Sequence, residues 1–221
     1  MKKILIIGAG APADVIVLRK LQQWADTIIC ADGGADAAKK AGILPHVVIG
    51  DFDSISSENL DYYNQNKDVT LVNIREQETT DMEKAIIFTL SIGSIADIII
   101  IGAGGSRTDH FLHTIGLMFK YRDKARIRII EGENFISLKT KSFRDKCRIG
   151  ETISLIPYGG QVNNVGTVGL KFPVQGENFI PGLKESISNQ ASQDNISVNF
   201  DGGNLLYYRN AVIGLDFELE Q

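Results

Sequence analysis

Short apolar runs alternate with amphipathic stretches along the N-terminal part of the chain. The runs are rich in isoleucine and valine, as is typical of buried strands, and they cover Lys3–Ile7, Thr27–Ala31, Val47–Ile49, Val69–Asn73, Asp97–Gly102 and Arg126–Ile130. The stretches between them have apolar residues at helical spacing and cover Pro12–Trp24, Ala35–Ala41, Ser56–Asn66, Thr80–Ile92 and Asp109–Tyr121. This alternation predicts an α/β fold, namely a doubly wound, mainly parallel sheet covered by helices on both faces.

The pattern changes near residue 132, where helical spacing disappears and short alternating stretches between glycines begin. These stretches predict strands at Phe135–Lys139, Glu151–Pro157, Val162–Val168, Asn195–Phe200, Leu205–Asn210 and Ala211–Phe217. We therefore predict two domains, residues 1–132 and a C-terminal antiparallel β-sandwich at 133–221. A Gly-, Pro-, Asn- and Ser-rich segment at 171–194 is predicted to be irregular.

Composition narrows the possible partners and compartment. A net charge of −4 gives the protein no overall basic field, so we predict no nucleic-acid partner. Cys30 and Cys147 show neither metal-ligand spacing nor a disulfide framework, which favours a reducing cytoplasm. No apolar run reaches the length needed to cross a bilayer, so we predict no membrane association.

Acidic residues follow several of the predicted parallel strands, at the edge where such sheets bind ligands. Asp32 follows the second strand, and Asp51 and Asp53 follow the third at a spacing that puts both on one face if the chain stays extended. A solvated turn is one interpretation of the Asp51–Asp53 pair, and helix capping would account for Asp81 and Asp109. Capping does not account for the first three acids together, which favours a site shared by Mg²⁺ and phosphate.

Other motifs allow other interpretations. The segment from Gly8 through Gly10 to Ala13 fits the G-x-G-x-x-G/A dinucleotide fingerprint, with Asp32 about 20 residues on as a ribose-binding acid. That pattern supports a second hypothesis, an NAD- or FAD-dependent oxidoreductase. Against it, the nearby carboxylates would repel a pyrophosphate that binds without a metal ion. Arg107 suits either a phosphate clamp or an exposed loop. Zinc is not predicted, because His110 and its neighbours offer no third ligand at known spacing.

The blocks of sequence around these residues resemble the thiamin pyrophosphokinase family over nearly the whole chain. The matching blocks, in order, are Ala31-Asp32-Gly33-Gly34-Ala35, Gly50-Asp51-Phe52-Asp53-Ser54, Thr80-Asp81 with Glu83-Lys84-Ala85, Gly105-Ser106-Arg107-Thr108-Asp109-His110, and Ser188-Asn189. The resemblance implies an α/β domain, a C-terminal β domain and a homodimer with shared active sites. It also implies Mg²⁺-dependent diphosphate transfer from ATP to the hydroxyl of thiamin, giving AMP and thiamin diphosphate.

The resemblance further implies roles for individual residues. Asp51, Asp53 and Asp81 would be catalytic and hold Mg²⁺, with either Asp53 or Asp81 as a possible base. The residues expected to bind ATP and its diphosphate are Asp32, Gly33, Gln77, Thr80, Arg107 and His110. The residues expected to bind thiamin are Asp109 and, from the partner subunit, Phe172, Ser188 and Asn189.

Three positions depart from the family pattern. Ser106 replaces a second glycine beside Arg107, Phe172 stands where tryptophan is common, and Thr114 stands where asparagine often occurs. None of these changes removes a charge, so the implied chemistry is retained. A non-catalytic nucleotide or thiamin sensor on the same fold is a third hypothesis.

Overall fold

A six-stranded parallel sheet forms the first of two compact units, 1–132 and 133–221, into which the chain divides. The computed structural model describes residues 2–11, 14–93 and 96–210. The strands of the first unit are β1 (Lys2–Ile7), β2 (Thr27–Ala31), β3 (Val47–Gly50), β4 (Thr70–Asn73), β5 (Ala96–Ile101) and β6 (Ala125–Glu131). Each pairs in parallel with its neighbours in the order β6-β5-β1-β2-β3-β4, which confirms the predicted sheet.

Helices connect these strands as the sequence pattern predicts. They are α1 (Val15–Trp24), α2 (Gly34–Lys40), α3 (Ser57–Gln65), α4 (Asp81–Ser91) and α5 (Thr108–Lys120). Helix α4 packs against β1, β2 and β3 and also contacts α5, whereas α2 contacts β1, β2 and α3. Pro12 and Ala13, at the predicted start of the first helix, lie outside the described residues.

The centre of the sheet explains where a ligand site belongs. Ile4 and Ile6 of β1 pair with Ile98 and Ile100 of β5, and all four side chains are fully buried. Chain order runs outward from β1 through β2, β3 and β4, then returns to the other side of β1 with β5. Ligands of doubly wound sheets bind beyond the carboxyl ends of the strands at such a reversal point.

The second unit consists of two antiparallel sheets, which confirms the β-sandwich. Its strands are β7 (Asn134–Lys139), β8 (Phe143–Lys146), β9 (Thr152–Pro157), β10 (Val162–Val168), β11 (Glu177–Phe179), β12 (Ser186–Gln190), β13 (Asn195–Asn199) and β14 (Leu205–Asn210). Within this unit the orders are β12-β9-β14-β7 and β11-β10-β13-β8. The rings of Phe143 and Tyr207, one from each sheet, lie 4.9 Å apart between centroids.

Two expectations for the second unit need correction. The 171–194 segment is not wholly irregular, because it contains β11 and β12, whose polar residues hide the alternation. Strand β8 was also not predicted, since its sequence Phe-Arg-Asp-Lys carries three charged side chains. The predicted strand Ala211–Phe217 lies outside the described residues. No helix in the described parts of the chain has the length and apolarity to span a bilayer.

Candidate active site

Three aspartates meet at the carboxyl edge of the parallel sheet. Asp32 directly follows β2, and Asp51 and Asp53 follow β3. One carboxylate oxygen from each lies within 4.8 Å of the others, with Asp32 buried, Asp51 half-buried and Asp53 exposed. The structure therefore brings together the three acids that the strand pattern placed at one edge.

Two non-glycine residues at this site have a left-handed backbone conformation. Asp32 has φ 40° and Phe52 has φ 66°, both in the left-handed region that non-glycine residues rarely adopt. Glycine is required at position 50, because a Cβ there would lie 2.8 Å from the Cβ of Asp32 and 3.2 Å from Asp81 Oδ1. Strained backbone of this kind is concentrated at functional sites.

Hydrogen bonds fix the orientation of each carboxylate. Asp32 accepts from the backbone N–H groups of Ser54 at 3.1 Å and Ile55 at 3.2 Å. Gln77 Nε2 donates to Asp51 Oδ2 at 2.9 Å, and the Ser54 hydroxyl donates to Asp53 Oδ1 at 2.8 Å. The acids thus hold their positions close together despite their mutual repulsion.

The electrostatics of the cluster favour a cation. Burial above all, together with the charge of Asp81, raises the pKa of Asp32 to about 6, even though two backbone N–H groups act in the opposite direction. The hydrogen bond from Gln77 instead lowers the pKa of Asp51. A divalent cation with oxygen ligands would relieve the repulsion among these carboxylates, so the donor set fits Mg²⁺.

Asp81 has a different environment from the other three acids. Its Oδ1 accepts a hydrogen bond at 3.0 Å from the ammonium of Lys84, a side chain only 4% exposed. The predicted capping role is wrong for this residue: Thr80 is the N-cap of α4, its hydroxyl accepting from the Glu83 N–H at 3.3 Å, and Asp81 is the first helical residue. Asp81 therefore projects from the first turn towards Asp32 with a fixed cation beside it.

The glycine turn after β1 has a packing role. The N–H groups of Gly10 and Ala11 donate to the carbonyls of Gly102 and Gly104, both at 3.0 Å. A Cβ on Gly10 would lie 1.7 Å from the Gly104 oxygen, so this glycine is needed for close approach of the turns after β1 and β5. Two of the N–H groups that a dinucleotide pyrophosphate would use in this fingerprint are therefore already occupied by carbonyls. The oxidoreductase hypothesis is accordingly not supported.

The segment after β5 carries an exposed ion pair. Arg107 donates to both oxygens of Asp109, from Nε at 2.9 Å and Nη2 at 2.7 Å, and this bond lowers the pKa of the Asp109 carboxyl far below its usual range. Asp109 does not cap α5, because Arg107 occupies the N-cap position. Thr114, one of the three departures, is buried and donates its hydroxyl to the His110 carbonyl at 2.9 Å.

A cleft of about 860 Å³ connects these features within the first unit. The predicted site residues that line it are Asp32, Gly33, Asp51, Asp53, Gln77, Thr80, Asp81, Arg107 and His110. The cleft is large enough for a nucleotide triphosphate, since ligand pockets commonly enclose 300–1,000 Å³. Asp109 is outside this lining, although it is bonded to Arg107, which is part of it.

The remaining predicted residues lie in the β unit. Phe172 is 62% exposed, Ser188 is exposed, and Asn189 is 3% exposed. Ser188 has φ 55°, a further non-glycine residue in the left-handed region.

Two residues with clear roles in the cleft were not among the predicted ones. Lys84 lies one helical turn after Asp81, so its i,i+3 spacing was a signal that the two side chains would meet. Ser54 holds Asp53 with its hydroxyl and Asp32 with its backbone N–H, a role that depends on a tertiary turn. Both line the cleft beside the acids.

Comparison with known proteins gives consistent matches. A family model described as "Thiamin pyrophosphokinase, catalytic domain" matches residues 18–130, and one described as "Thiamin pyrophosphokinase, vitamin B1 binding domain" matches residues 140–205. The chain is 30% identical over 217 residues to a thiamine pyrophosphokinase of Bacillus subtilis, covering 95% of this chain and 99% of that one. It is also 30% identical over 206 residues to thiamine pyrophosphokinase 2 of Arabidopsis thaliana, covering 82% and 77%.

Solved structures show the same similarity. The crystal structure of thiamine pyrophosphokinase from Bacillus subtilis matches with a TM-score of 0.82 at 27% identity, covering 96% of this chain and 100% of that chain. Thiamin pyrophosphokinase from Candida albicans matches with a TM-score of 0.85 over 95% and 89% of the two chains; at 18% identity this likeness concerns the fold.

Proposed function

The chain belongs to the thiamin pyrophosphokinase family, and on that premise we propose that it transfers a diphosphate from ATP to the hydroxyl of thiamin. In this proposal Asp32, Asp51 and Asp53 form the centre of the site that binds the phosphates. The observation that supports this assignment best is the group of three carboxylates within 4.8 Å of one another beside a nucleotide-sized cleft. The mutual repulsion of three such carboxylates is unfavourable unless a cation binds among them, and ATP would bring Mg²⁺ with its triphosphate.

The reaction is an in-line displacement. The oxygen of the thiamin hydroxyl forms a bond to the β-phosphorus of ATP, the bond from that phosphorus to the oxygen bridging it to the α-phosphate breaks, and AMP leaves with the electron pair. The hydroxyl proton passes to a base. Most catalysis of such transfers comes from positioning and electrostatic stabilisation, so no covalent residue is needed.

The residues divide these tasks. Asp51 and Asp53, with Asp32 or Asp81 completing the set, would hold Mg²⁺, which when bound neutralises charge on the phosphate oxygens. Gln77 and Ser54 keep the carboxylates of Asp51 and Asp53 oriented.

Positive and polar side chains would bind the phosphates. Lys84 and Arg107 line the cleft and would contact phosphate oxygens, with Thr80, Gly33 and His110 at its wall. Asp109 would face the aminopyrimidine of thiamin once Arg107 turns to a phosphate.

Either Asp53 or Asp81 could accept the proton, and their surroundings differ. Asp53 is exposed and its Oδ1 accepts from a neutral hydroxyl, whereas the Oδ1 of Asp81 is already engaged by the Lys84 ammonium. This contrast favours Asp53 as the base.

A product assay tests the proposed function directly. Incubation with ATP, Mg²⁺ and thiamin is expected to release AMP and thiamin diphosphate in equal amounts, and to release neither when thiamin is omitted or Mg²⁺ is chelated. Products are to be separated by ion-exchange chromatography, and NAD is expected to leave the melting temperature unchanged. Stabilisation by thiamin and ATP without any AMP would instead identify a sensor, and release of ADP would identify a different phosphotransferase.

We also propose a homodimer in which each thiamin site takes Phe172 and Ser188 from the other subunit. Support comes from the family resemblance and from the exposure of Phe172 and Ile187, at 62% and 56%. Ile187 lies two residues before Asn189, which hydrogen-bonds to the Phe172 main chain. Contiguous exposed apolar surface is typical of sites that bind a ligand or a partner.

Mixed dimers test the shared site. Asp53→Asn and Phe172→Ala chains are each expected to be poorly active, but a mixed dimer would contain one site with both native residues. After random subunit exchange, half of the dimers are mixed, so activity should recover to about a quarter of the wild-type value. If the site were built within one chain, every site would carry a substitution and mixing would restore nothing.

A further inference from the structure

The loop that carries Phe172 combines an exposed ring with a fixed main chain. The ring is 62% exposed. The chain on either side is held: Lys171 N–H donates to the Gln190 carbonyl at 2.8 Å, and Val174 N–H donates to the Thr167 hydroxyl at 2.9 Å. An exposed aromatic on a restrained loop is an arrangement suited to binding a flat ligand.

Asn189 makes the central contacts of this restraint. Its Oδ1 accepts from the Phe172 N–H at 3.1 Å, and its Nδ2 donates to the Phe172 carbonyl at 2.7 Å. Its remaining capacity is also used, because Oδ1 accepts from the Gln190 N–H at 2.9 Å and Nδ2 donates to the Ser186 hydroxyl at 3.2 Å. A primary amide has two donors and two acceptor lone pairs, so this buried side chain has nothing left for a ligand.

The neighbouring turn of β12 is restrained in the same way. The register of β12 against β9 shifts between Ser186 and Asn189, which leaves Ile187 and Ser188 on an exposed bulge. The buried Ser154 hydroxyl accepts from the Ser188 N–H at 3.0 Å, at a residue whose φ is 55°. Two buried side chains thus hold the main chain of two residues whose own side chains face outward.

We infer that Asn189 is a positioning residue: it contacts no substrate, and it fixes the Phe172 main chain so that the ring and the nearby Ser188 hydroxyl form a preformed platform for the aminopyrimidine of thiamin. This inference rests on the proposed function, and it changes the role expected for Asn189 from the family resemblance. Ordering a loop before the ligand arrives removes an entropic cost from binding. Loss of the restraint would therefore weaken thiamin binding and leave ATP binding unaffected.

Amide exchange tests the restraint without any substrate. In the wild type, the Phe172 N–H is expected to be protected, because its acceptor is the buried Asn189 oxygen. In Asn189→Ala, exchange of this amide should become faster by about 10-fold or more, as expected for a locally opened loop, while amides of β14 keep their protection. Unchanged Phe172 exchange in this variant would overturn the restraint itself.

Steady-state kinetics test its consequence. Asn189→Ala is expected to raise the KM for thiamin by about 10-fold with the KM for ATP unchanged. Asn189→Asp is the second variant: it keeps the size of the side chain but loses both donors and puts a carboxylate against the Phe172 carbonyl, so it should show the same selective effect. The matched control is Asn134→Ala, which removes an amide that accepts from Tyr208 at 2.8 Å in the same unit and should leave both KM values unchanged.

A double-mutant cycle with Phe172→Ala separates positioning from general destabilisation. If Asn189 acts through the ring, then Asn189→Ala should add little to the thiamin KM once Phe172 is alanine. Fully additive effects, or equal effects on thiamin and ATP, would overturn the inference while thiamin diphosphate formation by the wild type still supported the proposed function. A wild type that formed no thiamin diphosphate would overturn the proposed function and leave the exchange result standing by itself.

Discussion

Replacing Asp53 by asparagine is expected to lower kcat by roughly 10²- to 10⁴-fold at saturating Mg²⁺, ATP and thiamin, because it removes one carboxylate of the cluster that would hold the metal and the favoured base. In free-energy terms this is about 3–5 kcal/mol of transition-state stabilisation. The measurement is the initial rate of AMP formation over a Mg²⁺ titration, which separates weaker metal binding from slower chemistry.

Although it slows turnover, the same substitution should not destabilise the metal-free protein. Asp53 lies within 4.8 Å of two other carboxylates, so removing its charge relieves repulsion and should leave the melting temperature in chelator equal to or above that of the wild type. Asp61→Asn, at an exposed aspartate of α3, is the matched control and should change neither quantity. A turnover of the Asp53→Asn enzyme within a few-fold of the wild type would contradict the assignment of the cluster.

The acids at the sheet edge were predictable from sequence because their positions depend on local pattern. Asp32 and Asp51 each directly follow a short strand rich in β-branched residues, and parallel strands end at a common edge, so the spacing along the chain translates into proximity. What the pattern left open was how Asp81 is placed relative to these acids. The structure groups Asp32 with Asp51 and Asp53, and it pairs Asp81 with Lys84, which depends on how α4 packs against the sheet.

The glycine turn shows a different limit of sequence reasoning. A Gly8-x-Gly10 pattern is compatible with close approach of a ligand or of another loop, since glycine is required in both cases for the same steric reason. Only the position of Gly104, almost a hundred residues later, decides between them. Similarly, the four hydrogen bonds of Asn189 join it to Phe172 and to two residues of its own strand β12, and they have no signature in the Ser188-Asn189 motif itself.

The β unit was the least predictable part, because polar and charged residues obscure its strand pattern. Arg209 belongs to the predicted strand Leu205–Asn210, where a charged residue indicates a solvent-facing position, yet it is 2% exposed. Its partners come from β8, which was not predicted, and from the residue before β9. The identities of such partners depend on how the two sheets pack, and the period-two pattern of a strand contains no information about that.

Arg209→Met is expected to lower the free energy of unfolding by about 3–5 kcal/mol, because it leaves two buried carboxylates without their guanidinium. Arg209 donates to Glu151 from Nε at 2.6 Å and Nη2 at 2.8 Å, and from Nη1 to Asp145 at 3.0 Å. The Glu151 and Asp145 side chains are 5% and 7% exposed, so water cannot replace the lost hydrogen bonds. The measurement is chemical denaturation followed by circular dichroism, with the exposed Arg148→Met as control.

A second variant distinguishes loss of neutralisation from loss of packing. Replacing Arg209, Asp145 and Glu151 together by methionine, leucine and methionine removes all three charges, and apolar substitution of a whole buried ion cluster is often neutral or stabilising. The triple variant should therefore recover most of the stability that Arg209→Met loses, even though it has the same methionine at 209. If it were instead less stable than the single variant, the cost would come from the shape of the interior and from the buried Tyr207 hydroxyl, which donates to Asp145 at 2.8 Å. The cluster would then be a net contributor to the stability of the β-sandwich.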